Sequence, residues 1–432
     1  MKVADVYGIG VPVTSPAYVD RGRLDDAFAR ALETNRHISV HGGSKQGKSW
    51  LREKGLAIDD MLVVQATTTA TAASVLEEAL GALGITAQLT RTGTGALKGT
   101  LDLNANLDVG KVLARFKVGA KASGTASKEV QITEEFIGQS TGNLRWVATI
   151  LAASGLRLVV EDFHYLKESE QEVFASWMKA LGEYGLFVII MGVWAQSHLL
   201  TYFNGDLEGR IEDFHLQWTE PELRQVLQNG EEPLNITFSQ PLADALIADA
   251  YGNVGLLHRL VERLLIAEGI DDRREHVVLE VGESLTQARA EVADQMRGRF
   301  ETFASNFVGG MRRMREGLVV YRHLLRAYTS LPDEQLLSRG VESREVLTAI
   351  GDSGIRASDL TQALERVDRL QVKIKIRPPV LTYHRAGKRV QLIDRSFLFF
   401  RKYGGATWPW DEPDEITNDL AGDQPLDFFD ED

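Results

Sequence analysis

The chain has 432 residues, with 48 Lys and Arg against 61 Asp and Glu, a formal net charge of −13. Apolar residues make up 44% and charged residues 25%, enough apolar mass for a folded core, and the length predicts two or three domains. The absence of cysteine excludes a disulfide framework, thiol catalysis and any Cys-based metal site, and fits a reducing cytoplasm.

In chain order, Val19 to Glu33 has the apolar spacing of a helix, and Ile38 to Val40 reads as a strand ending in glycines. Trp50 to Leu56 is helical. Met61 to Val64 is a second strand and Thr71 to Leu83 a helix. Leu156 to Val160, Leu186 to Val193 and Phe214 to Trp218 are further strands, with a helix over Glu168 to Leu181. Strands alternating with helices predict an α/β fold with a parallel sheet covered on both faces. Thr90 to Lys128 interrupts the alternation. Its runs Thr100 to Val109 and Leu113 to Val118 predict an inserted hairpin, basic in its second half through Lys111, Arg115, Lys117, Lys121 and Lys128. That half suits an exposed hairpin, or a contact to DNA or a neighbouring subunit. Glu220 to Ile266 and Val277 to Arg326 read as helical.

Further along, Leu318 to Tyr328, Ser343 to Ile350 and Ser358 to Leu370 read as helices, the last with Ser358 as its N-cap. Two strands follow, Val380 to His384 and Arg389 to Ile393. Three helices and a two-stranded wing with a basic tip outline a winged helix. The expected domains are a core over 1–219 with its insertion at 90–128, helices over 220–315, a winged helix over 316–405 and an acidic disordered tail over 406–432. The longest apolar run, Leu186 to Ala195, is far short of the roughly 20 residues that span a bilayer. The N-terminus lacks a basic segment followed by an apolar one, so no membrane role is expected.

One motif carries chemistry. Gly42-Gly43-Ser44-Lys45-Gln46-Gly47-Lys48-Ser49 fits G-x-x-x-x-G-K-[ST] in full, between a predicted strand and a predicted helix. Glycines let the backbone turn its N–H groups toward phosphates, and the helix N-terminus favours their charge. Lys48 would reach the β- and γ-phosphates and Ser49 would ligate Mg²⁺. Leu156 to Val160 then delivers Glu161 and Asp162 at a strand end, where ligands sit in open α/β sheets. By position Glu161 is the Mg²⁺ residue and Asp162 the base that polarises water. The usual order is Asp then Glu, and the shorter Asp base fits slow turnover.

These elements resemble the AAA+ and STAND branches of P-loop ATPases, in particular origin-recognition-type and related prokaryotic ATPases. The resemblance covers roughly 15 to 265 and, more weakly, 315 to 403. It implies an AAA+-like parallel core, an α-helical lid and a C-terminal winged helix. It also implies ATP and Mg²⁺ as ligands, although the motif alone does not exclude GTP. Tyr18-Val19-Asp20-Arg21 is similar to the segment lining the family's adenine pocket. Glu161 to Leu166 looks like the second acidic motif with its trailing aromatic and apolar residues. The family's polar sensor falls near Met191 to Gln196, where Gln196 is the candidate and Trp194 reads as packing. Arg210, ahead of the fifth strand, stands where the family places an arginine finger acting on a neighbouring subunit. Gly255 stands where the lid usually has an arginine, which points to a switch more than a strong motor. Arg259 and His258 are nearby substitutes whose ordinary roles are surface and core.

The resemblance implies an ATP hydrolase that self-associates in its ATP state, acting on duplex DNA or handing a signal to a separate effector protein. The alternative is a winged-helix DNA- or protein-binding regulator, for example in defence or signalling, with nucleotide as regulatory ligand. Arg366, Arg369 and Lys373 lie on or just after the candidate recognition helix, and Arg385, Lys388 and Arg389 on the wing. The net charge does not bear on this choice, because it is unevenly spread. Asp411 to Asp432 holds ten acids and no Lys or Arg, while Arg356 to Tyr403 holds twelve basic residues against four acids. The tail reads as a solubilising disordered end or as a competitor for the basic module, on which Phe428 and Phe429 would let it dock as well as repel.

Overall fold

A computed structural model describes residues 1–8, 15–85, 87–91, 97–101, 144–194, 198–272, 275–309, 318–351, 354–374, 376, 378–385 and 387–411. The chain forms two compact units. One comprises residues 20–42 and 47–216, the other 1–19, 43–46 and 217–432.

The first unit is built on five parallel strands: β1 (His37–Gly42), β2 (Met61–Gln65), β5 (Arg157–Glu161), β6 (Val188–Met191) and β7 (Ile211–Leu216), in the order β2-β5-β6-β1-β7. All five strands expected from the apolar runs are present. Helices Arg23–Leu32, Lys48–Gly55, Ala72–Ala82, Leu144–Ala153 and Glu168–Glu183 accompany them. Two cores flank the sheet. Leu62, Val64, Leu158, Val160, Val188 and Ile190 pack with one, and Ile38, Val40, Met61, Val159, Ile189 and Met191 with the other. Alternate residues of each strand therefore bury opposite faces, as a doubly covered parallel sheet requires. Thr71 fixes one helix start, its hydroxyl accepting from Ser74 N–H while Ser74 Oγ accepts from Thr71 N–H.

A hairpin does follow the second strand, but as β3 (Ala87–Arg91) and β4 (Leu97–Leu101), paired antiparallel from Ala87↔Leu101 to Arg91↔Leu97. It begins earlier than expected, at Ala87, where Gln88-Leu89-Thr90 already alternates polar and apolar residues as a strand does. The pairing expected beyond Leu101, with its basic residues, lies outside the described residues.

The second unit joins helices Glu220–Leu234, Gln240–Ala250, Val254–Ala267 and Glu283–Gly309 to the C-terminal module through one continuous core from Val3 to Trp410. The first helix starts at a capping box, Thr219 with Glu222. Two segments read as helical contain short strands instead. β8 (Ile236–Phe238) pairs in parallel with β9 (Val277–Leu279). Three-residue strands are too short to leave a period in the sequence. In the C-terminal module, helices Leu318–Ser330, Ser343–Ile350 and Ala357–Lys373 precede β11 (Leu381–His384) and β12 (Arg389–Leu392). β12 also pairs with β10 (Val341–Glu342), completing a three-stranded sheet. Ser358 is not the N-cap: the helix already begins at Ala357, and Asp359 accepts from Arg356 N–H at 3.2 Å in the capping role. Among the described residues no helix is long and apolar enough to cross a membrane. The acidic tail beyond Asp411 lies outside the described residues.

Candidate active site

The phosphate-loop motif leaves the C-terminal end of β1. Gly42 has φ 140° and a Cβ there would lie 2.5 Å from Leu216 O, so only glycine fits. Gly47, at φ 81°, hands the chain to helix Lys48–Gly55. Lys48 Nζ reaches back to Gly42 O at 3.5 Å. Burial pulls the Lys48 ammonium down to about 8, against the opposing pull of Asp162 and then Glu161. The expected lysine and both expected carboxylates thus share one end of the sheet.

Glu161 closes β5 and lies in register with Gln65 of β2. Burial raises its carboxyl, offset by Arg52, whose Nε is 3.6 Å away, and by a hydrogen bond with the Ser49 side chain. Its Oε1 is buried with no hydrogen-bond partner among the described residues. Ser49 and Glu161 are therefore paired oxygen donors, a set that suits a hard cation such as Mg²⁺. Asp162 sits at φ 53°, the left-handed region that Asp tolerates better than most residues. Gln65 Nε2 donates to its carboxylate, and burial raises its pKa against the pull of Gln65 and Lys48. The left-handed turn aims the two adjacent carboxylates differently, Glu161 at Ser49 and Arg52, Asp162 at Gln65 and Lys48.

Three participants carry no sequence expectation. Arg52 lies one helical turn after Lys48 and could have been found from that spacing. Gln65 ends the strand beside β5. His164 follows the carboxylates: its Nδ1 accepts from Val193 N–H at 3.2 Å, and burial together with Lys48 lowers its pKa to about 3. Gly192 sits against it. A Cβ there would lie 3.3 Å from His164 Nδ1 and 2.2 Å from Trp194 Cζ3. Trp194 is buried, as its packing role predicts, while Gln196 lies outside the described residues.

Arg210 does not join this cluster. Its carbonyl accepts from His37 N–H at the start of β1, the opposite end of the sheet, about 17 Å along the strand from Gly42. Its half-exposed guanidinium lies 4.0 Å from Glu183.

The second unit holds the loop tip, Gly43 to Gln46. Asn253 donates to Ser44 O at 3.3 Å while its Oδ1 caps helix Val254–Ala267. Gly255 N–H donates to Lys45 O, and Trp218 Nε1 to Gln46 O at 3.0 Å. A Cβ at Gly255 would lie 2.6 Å from Lys45 Cβ, which explains why no arginine stands there. Arg259 is bonded to Gln295 and His258 packs edge-on against Tyr7, in keeping with surface and core roles. Tyr18 O accepts from Asn229, and Val19 is buried in the core. In the C-terminal module Arg366, Arg369, Lys373, Arg385 and Lys388 are exposed. Arg389 instead bonds Gly340 O and Glu342, so it is committed to holding β12 against β10.

No protein-family model matches the sequence. No curated protein matches it either. Solved structures do. A Walker-type ATPase of Pyrococcus abyssi is similar over 89% of this chain and 95% of its own, at 14% identity and a TM-score of 0.51. The ORC1 protein of Aeropyrum pernix, solved in complex with DNA, is similar over 88% and 90% at 15% identity and a TM-score of 0.36. RuvB of Thermotoga maritima is similar over 89% and 96% at 12% identity and a TM-score of 0.35. With its loop, its parallel sheet and this likeness, the chain has the fold of a P-loop ATPase.

Proposed function

We propose that this protein binds and hydrolyses ATP as a slow AAA+/STAND-type switch whose ATP-bound form self-associates. The convergence of Lys48, Ser49, Glu161 and Asp162 at one sheet end supports the reading above all. Gly42 to Gly47 would wrap the phosphates with backbone N–H groups, and Tyr18 and Val19 would border the base. Lys48 would bind the β- and γ-phosphates. Ser49 and Glu161 would hold Mg²⁺, which neutralises phosphate charge when bound. Asp162, steadied by Gln65, would accept a proton from the attacking water.

Arg210, remote from its own chain's site, would stabilise phosphoryl charge on a neighbouring subunit. The grip of Asn253, Gly255 and Trp218 on the loop-tip carbonyls favours a switch, because a change in the loop must alter those bonds. Mass measurement in solution with ATP, with ADP and without nucleotide tests this. An ATP-dependent oligomer whose hydrolysis Arg210→Ala reduces about a thousandfold is expected; a constant monomer with unchanged turnover would remove the trans role.

A second reading rests on the C-terminal module. Its helices and β10–β12 sheet fit a winged helix, and the exposed Arg366, Arg369, Lys373, Arg385 and Lys388 suit duplex DNA. Binding should then fall steeply with salt and strengthen when Asp411 to Asp432 is removed. No binding at low salt by either form would leave a separate effector protein as the partner. A cytoplasmic setting fits the cysteine-free sequence.

A further inference from the structure

The nucleotide cluster contains a polar atom that the mechanism above does not use. His164 Nδ1 accepts from Val193 N–H, so that nitrogen carries no proton. In the neutral ring the proton sits on Nε2, which makes Nε2 a donor. Nε2 is out of contact with solvent and has no hydrogen-bond partner among the described residues. A buried donor without an acceptor is costly, and such an atom calls for an explanation.

Its surroundings supply one. The ring is fixed on two sides, by Val193 N–H and by the Tyr165 ring, whose centre is 4.1 Å away at 42°. The Gly192 position leaves room for it, since a Cβ there would press on Nδ1. His164 follows Asp162 by two residues through a tight turn, Tyr165 N–H donating to Asp162 O at 2.8 Å. It is also near enough to Lys48 to feel that charge, which opposes a second proton on the ring. An N–H donor held in place within the field of a lysine ammonium suits an anionic oxygen, because both groups then gain from one acceptor.

We propose that His164 Nε2–H donates to a terminal-phosphate oxygen of a nucleoside triphosphate, and so lets the site tell triphosphate from diphosphate. The proposal rests on the nucleotide reading above. The interaction is made by a neutral group and needs no proton transfer. It places β6, through Val193, one residue from the bound phosphate.

The test measures affinities of the full chain for a non-hydrolysable ATP analogue and for ADP, each with Mg²⁺. The wild type should prefer the triphosphate. His164→Phe, which keeps a ring but no donor, should lose about tenfold in triphosphate affinity and keep its ADP affinity. His164→Met serves the same purpose if the ring variant does not fold, and His164→Gln, which retains an N–H donor, should recover part of the preference. Equal loss for both nucleotides, or no loss for either, in the non-donor variants would overturn the role of His164 while leaving the nucleotide site intact. A wild type that binds neither nucleotide would overturn the site itself and this proposal with it.

Discussion

Two aspartates, one in each unit, show what a folded chain does with a carboxylate away from water. Asp249, 1% exposed, accepts from Arg289 Nε at 2.7 Å, Lys402 Nζ at 3.1 Å and Tyr403 Oη at 2.7 Å. These bonds tie helix Gln240–Ala250 to helices Glu283–Gly309 and Ser396–Tyr403, and both oxygens are satisfied. Asp162 has one side-chain donor, Gln65, a left-handed backbone and a raised pKa. Its neighbours Glu161 Oε1 and His164 Nε2 have no hydrogen-bond partner among the described residues. Completed charge networks build structure. Incomplete ones, gathered at a strand end, cost stability and mark chemistry.

Asp249→Ala removes the satisfied carboxylate. It should lower unfolding free energy by about 3 kcal/mol, read by denaturant titration, because two cations lose their shared partner. ATP hydrolysis per folded molecule should not change. Lys48→Ala does the reverse, weakening nucleotide binding about a hundredfold by calorimetric titration with the melting temperature near that of the wild type.

Burial pulls Lys48 down to about 8, and a lysine that binds phosphate would do so in its protonated form. Affinity should therefore be level below pH 8 and weaken by up to about tenfold per unit above it, as binding must first return that proton. Asp162 and Glu161 have raised pKa values, so activity should fall on the acid side earlier than ordinary carboxylates would dictate. The smallest effect on stability belongs to Arg210→Ala. Its 4.0 Å pair with Glu183 is half-exposed, so the loss should stay within about 0.5 kcal/mol whatever happens to hydrolysis.

The sheet and the phosphate loop were legible because each leaves a local mark. Ile38 to Val40 alternates and ends in glycines, Met61 to Val64 and Leu156 to Val160 are mostly apolar, and the loop's glycines meet a steric demand of the backbone. β8 and β9 were not legible, because three-residue strands gain their identity from a partner about forty positions away. Ser358 misled as a cap because the helix begins one residue before it, at Ala357, where Asp359 accepts from Arg356 N–H. His164 was visible within the acidic motif but not its role, which depends on Val193 across the sheet end and on the missing side chain of Gly192.

Phosphate release from ATP by the wild-type chain and by Asp162→Asn, with Mg²⁺ and with nucleotide binding followed in parallel, decides whether the carboxylates at the end of β5 carry hydrolysis. Slow hydrolysis is expected of the wild type, with a fall of about a hundredfold or more in the variant while ATP stays bound. Hydrolysis undiminished in Asp162→Asn would contradict that role.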